Sequence, residues 1–299
     1  MHNGPWFIFI YLGVGIRVEQ STSNTTQDPQ VSICLPVFNG ERYLAEAIRS
    51  ILAQTYRNFE LLIFDDFSID TSPSILKSFD DPRIQLARNI ENLGPERNWN
   101  KALLAASGKY VKLFHQDDLL DRHCLSREVA ALENCPTAVI AFCSRTIIRP
   151  DGTRILDRSA PWPEGEVDAE TILHECILSG TNLIGEPSAV LFRTEVARKV
   201  GLFNGLFPYV IDLDYWVRLL EHGSGYCLKS PMASFRISAS QWSAAIGRRQ
   251  SRQFMDFLDM LATTGRCKID ARTKFRGRVM AFRNQILRML VYRLMLRGS

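Results

Sequence analysis

Between Val31 and Asp118 the chain alternates short apolar runs with amphipathic stretches, and three of the runs end in polar loops. The run at 31–36 (VSICLP) is β-branched and apolar, stops at Pro36, and reads as a buried strand. The run at 59–64 (FELLIF) ends on Asp65-Asp66, and the run at 109–114 (KYVKLF) leads into Asp117-Asp118. Between the first two, residues 41–54 place Tyr43, Leu44, Ala47, Ile48, Ile51 and Leu52 on one helical stripe. A short helix at 71–79, a strand at 83–87, and a helix from the Asn92-Leu93-Gly94-Pro95 turn to Ser107 complete the series. This alternation predicts an α/β fold, a Rossmann-like and mainly parallel sheet with helices on its faces. Such sheets bind ligands beyond the carboxyl ends of their strands, so the three polar loops converge on one crevice.

After Asp121 the pattern becomes mixed, with apolar strands near 137–148 and 189–192 and helices around 169–178 and 212–222. A break near Ser240 (SASQWSAAIG) precedes a helical C-terminal region. From Arg272 to the end there are eight Lys or Arg and no Asp or Glu, so the formal charge of +4 leaves a body of about −4. A body of that charge is not a nucleic-acid-binding surface. The seven cysteines form no C-x-x-C pair and have no His at zinc spacing, which predicts buried, reduced thiols of a cytoplasmic protein. Residues 5–16 (PWFIFIYLGVGI) are apolar but fall short of the roughly twenty residues of a spanning helix. Only His2 precedes them where a secretory signal would carry basic residues, so residues 1–30 read as a loosely attached extension.

Adjacent carboxylates repel unless a cation is shared or water intervenes. Asp117-Asp118 therefore suit a hard divalent ion, Mg²⁺ or Mn²⁺, held by one or two carboxylates and substrate phosphates. Taken alone the pair suits a helix cap equally, with Asp118 or Asp121 capping a helix from Arg122. Asp65-Asp66 divides the same way, between a turn and an acceptor for a nucleobase N–H or a ribose hydroxyl. Two such pairs, each closing a strand of one sheet, favour a nucleotide-diphosphate site. Asp212, in FPYVIDLDYWVRLLEHG, is either a carboxylate favoured by the helix dipole or a general base for an acceptor hydroxyl.

With these motifs in this order, the chain resembles the family 2 inverting glycosyltransferases of GT-A fold. The segment from Val31 resembles the family opening through P-x-x-N-G, Y-L and S-I-L-x-Q-T. FELLIFDDFSID resembles E-x-x-x-x-D-D-x-S-x-D, Asn92-Leu93-Gly94 resembles N-x-G, and ASGKYVKLFHQDD resembles the segment that closes on D-D. Residues 212–223 resemble D-x-D-x-W-x-R-L-x-x-x-G. The resemblance covers roughly residues 31–240 and implies a catalytic domain there, its nucleotide-binding half about 31–120 and its acceptor half about 121–240. A helical basic region follows at 241–299. It implies Pro36, Phe38, Asn39 and Glu41 along the nucleotide sugar, Asp66 on the base, Asp117 on the ribose, and Asp117 and Asp118 on the metal. Asp212 would be the base, with the acceptor passing Glu186, Pro187 and Ser188. The donor would be a nucleotide-diphosphate sugar and the acceptor a saccharide or lipid-linked hydroxyl, as in cell-envelope polysaccharide synthesis.

Three positions depart from the pattern. His115 replaces the first Asp of D-x-D-D, and Phe67 stands where Gly is common. Ser238 replaces the His of R-x-H, which would leave more of the phosphate contact to Arg236. Two other readings remain: a sugar-phosphate nucleotidyltransferase, which lacks here its Gly-rich basic loop, and a sugar-nucleotide-binding protein without turnover. The basic tail is either a helix packed on the body or one lying at the inner face of an anionic membrane.

Overall fold

The computed structural model describes residues 28–237, 247–267 and 269–295, and the side chains of 248 and 291–295 are outside the description. The first half runs β1 (Val31–Val37), α1 (Leu44–Leu52), β2 (Phe59–Asp65), α2 (Ser72–Lys77), β3 (Ile84–Arg88), α3 (Pro95–Ala105) and β4 (Tyr110–Leu113). These four strands are parallel in the order β3-β2-β1-β4. β1 and β2 are buried along their whole length and alternate between two cores, as the pleat requires. Val31, Ile33 and Leu35 meet the α1 stripe, while Cys34 and Leu62 meet Trp99 and Ala102 of α3.

The second half comprises β5 (Leu119–Leu120), α4 (Cys124–Asn134), β6 (Ala138–Ile148), β7 (Arg154–Arg158), β8 (Gly165–Val167), α5 (Ala169–Ser179), β9 (Val190–Arg193), α6 (Thr194–Val200), α7 (Ile211–Leu220) and β10 (Ser224–Arg236). The sheet continues through β4-β9-β6-β10-β5. β9 is antiparallel to both neighbours, and β6 and β10 return to parallel pairing. The long β10 has no counterpart in the periodicity, because Lys229, Ser230 and Pro231 interrupt it. Register shifts on both sides of Pro231 absorb the interruption.

Two further helices, α8 (Gln250–Thr264) and α9 (Ala271–Met295), follow. Phe254, Phe257, Leu258 and Leu261 of α8 and Ala281 of α9 join the same buried cluster as α5 and α7. The C-terminal helices therefore share the core of the body instead of enclosing one of their own. Six cysteines are buried, Cys267 is half-buried, and all seven are free thiols. No helix among the described residues is long and apolar enough to cross a membrane. Residues 1–27 and Ser238 lie outside the described residues.

Candidate active site

The carboxyl ends of β1, β2 and β4 open on a cavity of about 610 Å³. Pro36, Phe38, Asn39, Asp66, Asp117, Glu186, Pro187 and Asp212 all line it. Loops from separate strands thus converge where a parallel sheet places its ligands.

The loop after β1 is fastened to the loop after β2. Asn39 has φ 47°, a left-handed conformation Asn tolerates. Its amide donates to Ser68 Oγ at 2.9 Å, and its Oδ1 accepts from the Ile69 amide at 2.9 Å. Glu41 Oε2 accepts from the amide and hydroxyl of Thr71, at 3.0 and 2.8 Å. The Gln116 side chain pairs with both backbone groups of Phe38, at 2.9 and 3.0 Å. A Cβ on Gly40 would collide with that amide, so any larger residue there would have to push the Gln116 side chain off the Phe38 backbone. Asn39 and Phe38 keep places on the cavity wall; Glu41 is engaged in joining the loops and does not line it.

The two Asp-Asp pairs divide their labour. Asp65 Oδ1 accepts from the Ser68 amide at 3.0 Å, and its Oδ2 faces Arg88 Nε at 3.3 Å, which shapes the turn. Asp66, 2% exposed, accepts from the amides of Leu93 and Gly94 at 2.8 and 2.9 Å and from Asn89 Nδ2 at 2.7 Å. It thereby fixes the Asn-Leu-Gly turn that opens α3.

Asp117 lines the cavity, whereas Asp118 lies behind it, 1% exposed. Asp118 accepts from Ser188 Oγ at 2.6 Å and from the Arg236 amide at 3.2 Å. It caps no helix: α4 begins after His123, whose amide donates to Asp121 Oδ1 at 2.9 Å. Burial and the neighbouring Asp117 raise the Asp118 carboxyl well above the usual carboxylate range. A buried carboxylate beside a second one is the donor set a hard cation satisfies, so the residues fit Mg²⁺ or Mn²⁺. Asp117 is the member on the cavity wall; Asp118 lies behind it, with one oxygen on Ser188 and the other on the Arg236 amide.

His115, in place of an acidic residue, lies 5.2 Å from the Trp99 ring at a 36° tilt. Burial depresses its basicity, against the opposing pull of the Asp117 and Glu186 charges. Arg236 does not line the cavity. Its guanidinium sits over Tyr43, donates to Asp117 and Pro150 carbonyls at 2.9 and 3.1 Å, and pairs with Glu46 at 2.7 Å. Among the described residues it braces the Asp-Asp loop, whereas the sequence suggests a phosphate contact.

Across the cavity, the turn Pro208–Val210 leads into α7 and brings Asp212 to the wall. Burial, then the charge of Glu186, raise its pKa to about 7. Asn182 Nδ2 donates to Asp212 Oδ2 at 2.9 Å and the Leu213 amide to Oδ1 at 2.7 Å. The same Asn182 amide binds the Gly185 carbonyl at 2.9 Å, which also accepts from Trp216 Nε1 at 3.1 Å. Glu186 pairs with the buried Arg145 and lies 3.9 Å from Arg158. Its burial opposes charge, but the two arginines hold the carboxyl below its ordinary value. Ser188 is buried and spent on Asp118 and on the His115 amide, at 3.1 Å. Pattern reasoning missed Asn182, Arg145 and Arg158, none of which lies in a recognisable spacing. It also missed Gln250 and Arg288, which α8 and α9 bring to the same cavity.

The sequence profile of glycosyl transferase family 2 matches residues 32–201, more than half of the chain. The chain belongs to this family. A Mycobacterium tuberculosis protein, MT1568, is 32% identical over 200 residues, 64% of this chain and 62% of that protein. RP339 of Rickettsia prowazekii, an uncharacterized glycosyltransferase, is 30% identical over 71% of this chain and 65% of its own length. The chain thus spans just under two thirds of these relatives. TuaG of Bacillus subtilis, a candidate teichuronic acid biosynthesis glycosyltransferase, is 28% identical over 74% of this chain and 86% of its own. S. aureus TarS 1-349 in complex with UDP-GlcNAc shares the fold at TM-score 0.65 and 17% identity, over 86% of this chain and 72% of that one. The mannosyltransferase PcManGT of Pyrobaculum calidifontis, in complex with GDP-Man and Mn²⁺, does so at TM-score 0.57 and 16% identity, over 90% and 76%. The fold is of GT-A type.

Proposed function

We propose that the chain transfers a sugar from a nucleotide-diphosphate sugar to an acceptor hydroxyl, with inversion at the anomeric carbon and Asp212 as general base. The observation that carries this is one cavity walled on one side by Asp66 and Asp117 and on the other by Asp212.

The nucleoside lies along Pro36, Phe38 and Asn39, with Asp66 accepting from the base. Among the described residues Asp66 Oδ2 has a single protein donor, the Gly94 amide, which leaves acceptor capacity toward the cavity. Asp117 and Asp118 would hold the divalent cation, which when bound stabilises negative charge on the departing diphosphate. Asp212 takes the proton of the acceptor hydroxyl as the oxygen attacks the anomeric carbon. A carboxylate titrating near 7 is matched to that task at neutral pH, where it is partly ionised and still basic enough to accept a proton. Asn182 and the Leu213 amide fix its orientation. Glu186, held by Arg145 and Arg158, stands on the acceptor side with Pro187, and no protein nucleophile is needed. The acceptor is a saccharide or lipid-linked hydroxyl, and the C-terminal helix would give peripheral contact with the cytoplasmic face of a membrane.

Calorimetric titration with UDP- and GDP-sugars, in Mn²⁺ and in EDTA, tests the donor half. Saturable binding of one donor in Mn²⁺, lost in EDTA and in Asp117→Ala, is expected. Equal affinity in EDTA would remove the metal from the reading, and no binding by any donor would remove the site.

A further inference from the structure

The C-terminal helix turns its small residues inward and its large apolar ones outward. Thr273, Gly277, Ala281 and Gln285 recur every four residues and are buried against α5 and α8. A Cβ on Gly277 would come within 2.6 Å of the Ile177 carbonyl oxygen, so the helix backbone lies directly on α5. Polar ties complete this docking. The Asn284 side-chain amide donates to the Ser179 carbonyl at 2.7 Å, Gln285 Oε1 accepts from the Ser251 amide at 2.9 Å, and Arg278 and Lys274 both reach Asp259 at 2.7 Å.

At 100° per residue, Phe275, Val279, Phe282, Ile286 and Leu290 fall on the opposite side. They are 69%, 51%, 55%, 44% and 51% exposed. A bulky apolar stripe of five residues facing solvent is a surface that marks an interaction. Along one edge of it run Arg272, Arg276 and Arg283, all exposed. No acidic residue occurs from residue 271 to the end, so apposing this stripe to the same stripe of a second copy would set arginine against arginine. A surface that is negatively charged and apolar beneath complements it instead.

We propose that this face of α9 seats on an anionic lipid leaflet, the aromatic and aliphatic side chains entering the headgroup boundary and the three arginines meeting lipid phosphates. The inner side of the same helix reaches the active site. Arg288 lines the cavity, donates through Nε to Gln250 at 2.9 Å, and holds its guanidinium 5.1 Å from the Tyr209 ring. One helix therefore forms a wall of the cavity and the lipid-facing stripe, which sets the cavity about one helix diameter, ~10 Å, from the leaflet. That distance suits an acceptor anchored in lipid, and this consequence rests on the transfer reading; the leaflet contact itself does not.

Flotation of the full chain with phosphatidylcholine vesicles, and with vesicles carrying about half phosphatidylglycerol, tests it. The protein floats with the anionic vesicles and not with the neutral ones. Phe275→Ser/Phe282→Ser/Ile286→Ser abolishes flotation. Arg272→Gln/Arg276→Gln/Arg283→Gln weakens it by about fivefold per arginine, on the order of a hundredfold together. Both variants change only exposed side chains and keep the donor affinity and melting temperature of the parent. Absence of flotation, equal flotation by both variants, or a dimer in light scattering that the serine variant dissociates would each overturn the proposal. Failure of donor calorimetry with flotation intact would sink the transfer reading and leave this one standing.

Discussion

Replacing Asp212 by Asn removes one proton-accepting oxygen and leaves the shape of the side chain. The remaining carbonyl oxygen still accepts from Asn182 or from the Leu213 amide, each of which reaches the carboxylate within 2.9 Å in the parent. The cavity should therefore bind donor with unchanged affinity. Turnover should fall by at least about a hundredfold, the low end for loss of a general base. Stability should move the other way. The Asp212 carboxyl is raised from 3.8 to about 7, so the folded state retains a proton that the unfolded chain has lost. Wild-type stability consequently falls as pH rises through that window and is level above it. The gap corresponds to roughly 4 kcal/mol at 1.36 kcal/mol per pH unit, of which screening by water at the cavity wall leaves about 2 kcal/mol. The amide carries no such cost. Its melting temperature should match wild type near pH 4 and exceed it by roughly 4–8 °C near pH 8, at 2–4 °C per kcal/mol. Differential scanning calorimetry across that range, beside single-turnover assays, reads both effects. Near wild-type turnover, or a stability difference independent of pH, would refute the assignment of Asp212 as a buried base.

Three other outcomes follow from the same geometry. Asn182→Ala frees one Asp212 oxygen and removes a contact that lowers its pKa, so kcat falls with little change in donor KM and the rising limb of the pH–rate profile moves to higher pH. Gly40→Ala pushes the Gln116 amide off its two bonds to the Phe38 backbone, costing about 1 kcal/mol of stability by chemical denaturation, and costs little further in a chain that already carries Gln116→Ala. Lys112→Met strands the Glu128 carboxylate, whose 3.0 Å partner it is inside the core, and costs about 3–5 kcal/mol; Lys112→Met/Glu128→Leu recovers most of that in the same assay.

The first half of the molecule was legible because local pattern and tertiary role agree there. β1, β2 and β4 are uniformly buried, their helices are amphipathic, and the polar residues that interrupt them stand at the crevice. Asp66 and Asp212 could be singled out as carboxylates, but not their settings: the amides that hold Asp66 lie 27 and 28 residues away, and Asn182 lies 30 residues from Asp212. Arg236 shows the limit of motif reasoning, since its charge suggests phosphate while its contacts are with the loop beneath Asp117. β10 escaped detection because a proline and register shifts break its alternation. The tail was readable as a basic helix, yet which face it buries depended on Gly277 and Ala281, small residues that carry little signal in a hydrophobicity pattern.

Release of nucleoside diphosphate from a panel of sugar nucleotides, in Mn²⁺ and in EDTA, tests the account most directly, with wild type and Asp212→Asn run in parallel. Wild type should release the diphosphate from one donor class in Mn²⁺, EDTA should stop it, and the variant should bind this donor without releasing it. Binding by wild type with no release in the presence of any saccharide or lipid-linked acceptor, or equal release by the variant, would contradict it.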